Sequence, residues 1–125
     1  MKNVVFDAGA LIALERRDGR ILGVLDALER AKVCAYVPAG VVAQVWRGSP
    51  RQHAVAALLR SKALRVDVLT EALALRIGVL LAATRTRDVV DAHVALLTRS
   101  LGAVVLTSDP EDMRRLDASL DIAAL

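Results

Sequence analysis

Apolar positions fall along this chain in two alternating rhythms. Short unbroken runs at Val4–Phe6, Val33–Val37, Leu64–Leu69 and Ala103–Leu106 read as buried strands, and Asp121–Leu125 as a last edge strand. Between them, longer stretches with helical spacing lie at 8–15, 20–31, 39–47, 50–62, 71–83 and 88–100. Ser49-Pro50 and Asp109-Pro110 each set a capping residue before a proline at the first helical position. Strands alternating with helices predict an α/β fold, with three α/β/α layers around a mainly parallel sheet. No repeat, low-complexity tract or linker interrupts the pattern, so residues 1–125 are expected to form a single domain.

Composition narrows the class. Hydrophobic residues make up 55% of the chain and charged residues 25%, which excludes a disordered polymer. With one Phe, one Tyr and one Trp, the core must be built from Ala, Val, Leu and Ile. The lone Cys34 excludes an internal disulfide and matches a reducing, cytoplasmic setting. The first apolar run stops at Asp7, too soon for a signal peptide. No uncharged run approaches the roughly 18 residues of a membrane span, so no membrane is expected. The net charge is +3, and most of the 17 basic residues are Arg. That bias suits phosphate contacts and equally follows from a GC-rich genome.

The stretch "VVFDAGALIAL" sets a carboxylate, Asp7, directly after a buried strand. An ionised acid at the edge of a core needs hydrogen bonds or a cation. A second strand ends in "AVVLTSD" and gives Asp109, and the helix "DVVDAHVALL" carries Asp91 in its first turn. Each acid alone has a structural reading: Asp7 and Asp109 as helix caps, Asp91 and its neighbour Asp88 as partners of a helix dipole. Together they fall where open α/β sheets bind ligands, beyond the carboxyl ends of the strands. Close carboxylates repel unless a cation sits among them. All-oxygen ligands point to Mg²⁺ or Mn²⁺, since no His/Cys cluster favours zinc. His93, two residues after Asp91, faces elsewhere and reads as a packed or surface histidine. Asp88 and Asp112 each lie three residues from one of these acids, as solvated first-turn acids or as holders of outer-shell water.

These pieces resemble the PIN-domain ribonucleases, in particular the VapC-type toxins of bacterial toxin–antitoxin pairs. The resemblance rests on "VVFDAGALIAL", "YVPAGVVAQVWR", "DVVDAHVALL" and "AVVLTSDPEDM", in that order along nearly the whole chain. It implies a PIN-like fold and makes Asp7, Asp91 and Asp109 the first, third and fourth acidic metal ligands. The family's second acid, normally a glutamate, is Gln44 here. An amide carbonyl can ligate a hard cation but brings no charge, so a weakened, single Mg²⁺ or Mn²⁺ is the expectation. The resemblance also implies an endoribonuclease cutting structured RNA, a homodimer, and an antitoxin encoded by a neighbouring gene. Arginines close to the motifs would then guide the RNA: Arg16, Arg47 and Arg87 first, with Arg17, Arg20, Arg51 and Arg85 nearby. Trp46 is assigned to core packing or a partner-facing groove ahead of base stacking.

Other classes fit less well. A receiver domain wants paired acids after its first strand and a late lysine, yet Asp7 stands alone and no lysine follows Lys62. A haloacid-type phosphatase wants a second Asp where Gly9 stands. The stronger rival is an inert PIN domain that binds RNA or a partner without cutting, because of Gln44.

Overall fold

The three residues of β1 (Val4–Phe6) are buried on both faces, which requires helices above and below the sheet. The structure, a computed structural model, describes residues 1–125. After β1 come α1 (Ala8–Glu15), α2 (Gly19–Ala31), β2 (Ala35–Pro38), α3 (Ala39–Val45), a 3-10 turn (Pro50–Gln52) and α4 (His53–Arg60). Then follow β3 (Leu64–Asp67), α5 (Glu71–Thr84), α6 (Val89–Leu101), β4 (Val104–Thr107), α7 (Pro110–Leu116) and β5 (Asp121–Ala124). All four strand pairings are parallel, in the order β3-β2-β1-β4-β5. Helices α1, α3 and α4 pack together, while α5, α6 and α7 form a second group with α6 over β1 and β2. The expected three-layer α/β/α architecture is present.

The core is aliphatic, as the composition requires; Phe6 is the one aromatic ring buried completely. Trp46, by contrast, is 38% exposed at the end of α3 and does not join the core. No helix is long and apolar enough to cross a membrane.

Element boundaries differ from the sequence reading where helix caps intervene. The strand expected at Val33 begins at Ala35, because Lys32 turns into the left-handed region and the Val33 amide donates to Leu28 O at 3.0 Å. The strand expected to run to Leu69 ends at Asp67, opposite Pro38, where β2 gives way to α3. Without a partner strand, Val68 and Leu69 stand exposed. Residues 50–62 divide into the 3-10 turn and α4, with Ser49 Oγ capping the turn at 3.2 Å from the Arg51 amide. At Asp109-Pro110 the proline occupies the first turn as expected, but the Asp109 side chain caps nothing.

The strand order places the site. The chain lays β1, β2 and β3 outward in one direction, then crosses back to put β4 on the other side of β1. The order therefore reverses between β1 and β4, and the edge beyond their carboxyl ends is where α/β sheets hold ligands. Asp7 follows β1 and Asp109 follows β4.

Candidate active site

Asp7 is buried, at 6% exposure, and both of its carboxylate oxygens are engaged. Oδ1 accepts from the Ala8 amide at 2.7 Å and caps α1; Oδ2 accepts from the Thr107 hydroxyl at 2.8 Å. The Asp7 amide donates to Leu106 O at 3.1 Å and carries the β1–β4 ladder one residue further. Hydrogen bonds thus answer part of the cost of burying this acid. Each oxygen keeps a second lone pair for another ligand.

Thr107 ties two of the acids together. Its hydroxyl donates to Asp7 and accepts from the Asp109 amide at 2.9 Å. Sequence reasoning missed this residue, although its place at the end of a strand, two before an acid, was a usable signal. Gly9 also bears on the loop after β4. A methyl group there would stand 2.9 Å from Ser108 Cβ and 3.0 Å from its amide, so only glycine lets α1 approach the loop that carries Asp109. The variant Thr107→Val leaves one lone pair and one N–H without a partner, at a cost of about 1–3 kcal/mol. Thr107→Val is expected to lose most metal affinity, and Thr107→Ser to restore it, measured by calorimetry with Mn²⁺ beside thermal melts.

Asp91 lies in the first turn of α6, and Asp88 caps that helix by accepting from the Asp91 amide at 2.9 Å. Burial pushes the Asp91 carboxyl up to about 7, with further upward pressure from the negative charges of Asp88, Asp7, Asp112 and Asp109. Five carboxylates from three parts of the chain therefore share one field, and Asp91 sits where that field is uncompensated. Asp109 is exposed and its side chain makes no hydrogen bond, so it is free to turn toward that edge. No three of these side chains stand ready at the spacing of a metal cage. The donors fit a hard divalent cation in kind, being all oxygen and electrostatically strained without one.

Gln44 is exposed and its side chain makes no hydrogen bond within the protein. It lies one helical turn beyond Gly40, where an added methyl would stand 2.9 Å from Val90, the residue before Asp91. Gln44 therefore shares the α3 face that meets the start of α6. His93 is packed, as expected, with 2% exposure, and its Nε2 lies 2.7 Å from Asp67 Oδ2 at the end of β3. The sequence reading did not anticipate Asp67 as its partner.

Among the arginines singled out from sequence, Arg87 and Arg85 line the cleft that holds Asp88, Asp91 and Asp112. Arg47 folds back to donate to Ala43 O at 3.1 Å and Trp46 O at 2.8 Å. Arg16 lines a separate hollow with Gly9 and Ser108. Arg85 and Arg115 join Arg87 in the acidic cleft, whose volume is about 340 Å³.

The model of the family described as PIN domain matches residues 4–119. The chain belongs to the PIN domain family. PIN domains are in general nucleases that use divalent metal ions. Among solved structures, that of FitAB bound to an IR36 DNA fragment matches with a TM-score of 0.65 at 15% identity. The match covers 97% of this PIN chain and 94% of the other, and at that identity it shows the fold alone. No curated protein sequence matches the chain.

Proposed function

We propose that this PIN domain is a Mg²⁺- or Mn²⁺-dependent endoribonuclease that cuts structured RNA such as tRNA or rRNA and so arrests translation and growth. The observation that carries the reading is the joining of Asp7 to the Asp109 loop through Thr107 at the strand ends, with Asp91 close enough to feel the charges of both acids. Asp7, Asp91 and Asp109 are the residues that would hold the cation, with Gln44, Asp88 and Asp112 able to hold water around it. A divalent cation there supplies charge neutralisation at the phosphate and a more acidic water. Thr107 would keep Asp7 in place and tie it to the loop after β4, from which Asp109 would reach a cation. RNA-fragment ends sequenced after brief expression, together with cleavage by purified protein in Mn²⁺ and in EDTA, test this. Discrete cuts that vanish in EDTA are expected; intact RNA under all conditions would refute it.

The toxin role follows from the same reading. It calls for an antitoxin from an adjacent gene that covers the acidic cleft, and for a homodimer in a cytoplasmic setting. Exposed Leu75 and Val79 on α5, at 68% and 72%, supply apolar surface of the kind that protein partners cover. Co-purification with the neighbouring gene product should give an inactive complex.

A second reading, an inert RNA- or partner-binding PIN domain, is favoured by Gln44, which removes one negative charge from the ligand set. The two readings separate at Gln44→Glu. The added carboxylate is expected to tighten Mn²⁺ binding about tenfold and to speed cleavage. Equal affinities and rates in the two proteins would place Gln44 outside the site.

A further inference from the structure

Five lysine or arginine ion pairs form in this protein, yet none involves the three arginines that share a cleft with the acids. Arg85, Arg87 and Arg115 line the same hollow as Asp88, Asp91 and Asp112, and no guanidinium among them closes onto a carboxylate within 4.0 Å. None donates a side-chain hydrogen bond to the protein either, unlike Arg20, Arg47 and Arg114. The contrast is sharpest on α7, where Arg114 is paired with Glu111 and the next residue, Arg115, is free. Arginine donors are rigid forks that match phosphate oxygens two at a time.

The loop that carries two of these arginines is held in one shape. Arg85 closes α5 in the left-handed region, with φ of 56°, and its amide donates to Leu81 O. The hydroxyls of Thr84 and Thr86 hydrogen-bond at 2.8 Å on either side of it. Arg115 faces the same cleft from α7. Arginines from the loop after α5 and from α7 thus share one cleft with Asp88, Asp91 and Asp112. A small free anion would meet repulsion from those acids, whereas a strand could set its scissile phosphate over a cation on the acids and its next phosphates on the arginines.

We propose that Arg87 and Arg115, with Arg85 beside them, form the phosphate subsites of a single RNA strand that crosses the cleft between the α5–α6 loop and α7. The proposal rests on the nuclease reading for the identity of the strand.

Fluorescence anisotropy with an end-labelled single-stranded RNA oligonucleotide, in EDTA over a salt series, tests it on the natural protein, for which the nuclease reading expects no cleavage under those conditions. Arg87→Gln and Arg115→Gln are each expected to weaken binding about 5–10-fold and to flatten the salt slope by roughly 0.7–1. Arg16→Gln and Arg47→Gln are expected to change affinity less than about twofold, and thermal melts confirm that all four variants fold. Arg87→Lys should keep the salt slope, since it keeps the charge. Unchanged affinity and slope in either cleft variant, or equal losses in the Arg16 and Arg47 variants, would overturn the subsites. Cleavage by the natural protein is scored separately: binding that depends on the cleft arginines without any cleavage refutes the nuclease reading alone, and cleavage with no such dependence refutes the subsites alone.

Discussion

Asp7→Asn is expected to lower Mn²⁺ affinity and RNA cleavage at least about 100-fold while the protein stays folded. The fold should survive because asparagine is nearly isosteric and its carbonyl can still accept from the Ala8 amide. Its NH₂ can meet Thr107 Oγ, which already accepts from the Asp109 amide, so the Thr107 hydroxyl loses its acceptor at a cost of about 1–3 kcal/mol. What disappears is one negative charge and one anionic ligand at the edge beyond β1 and β4. Calorimetry with Mn²⁺, cleavage rates and thermal melts on the same preparation separate the two effects. Unchanged Mn²⁺ affinity would remove Asp7 from the ligand set; a collapsed melt would make its role one of structure.

The second large effect has opposite signs for stability and binding. In the metal-free protein Asp91 titrates near 7, against about 3.9 for an aspartate in an unfolded chain. The folded state therefore holds this proton more tightly. The stability Asp91 contributes is full below about pH 4 and is lost as pH rises to about 7, because folding then demands a half-buried charge among other carboxylates. The whole shift corresponds to about 4 kcal/mol. Partial exposure screens it, which leaves about 1–2 kcal/mol at pH 8. Asp91→Asn removes that cost, so in EDTA at pH 8 the variant is expected to melt roughly 4–8 °C higher than the natural protein. The gap should close toward pH 4. Mn²⁺ should raise the melting temperature of the natural protein and leave the variant unmoved, since only a bound cation stabilises the folded state. Melts across pH, with EDTA and with Mn²⁺, check this. A variant less stable at pH 8, or one stabilised equally by Mn²⁺, would show that Asp91 is not the group that the field strains.

Much of the fold was legible because its strands are short, apolar and separated by helices of ordinary length. Val4–Phe6 reads as a buried strand and is one; Ala8–Glu15 is a helix with the bounds expected. The errors cluster at boundaries that a cap or a partner strand decides. Val33 looks like the start of a strand, but its amide belongs to the end of α2. Val68 and Leu69 look like strand residues, but β2 has already turned away beside them. Apolar character is local, whereas a strand ends where its neighbour ends.

The site divides in the same way. From the sequence alone, Asp7 and Asp109 stand at strand ends and Asp91 in the first turn of an apolar helix, because those are statements about residues within a few positions of one another. That Asp109 caps nothing, that Thr107 joins it to Asp7, and that Asp91 feels four other carboxylates depend on the strand order β3-β2-β1-β4-β5. That order sets residue 7 beside residue 107 through hydrogen bonds that no local pattern encodes. The arginines divide likewise. Arg47 and Arg87 look alike in the sequence, but the first is held by two carbonyls at the end of α3 and the second is left free over the acids. Arg115 gave no signal at all until α7 packed against α6. Local chemistry named the acids; the long-range parallel pairing decided which of them share a field and which cations stand over it.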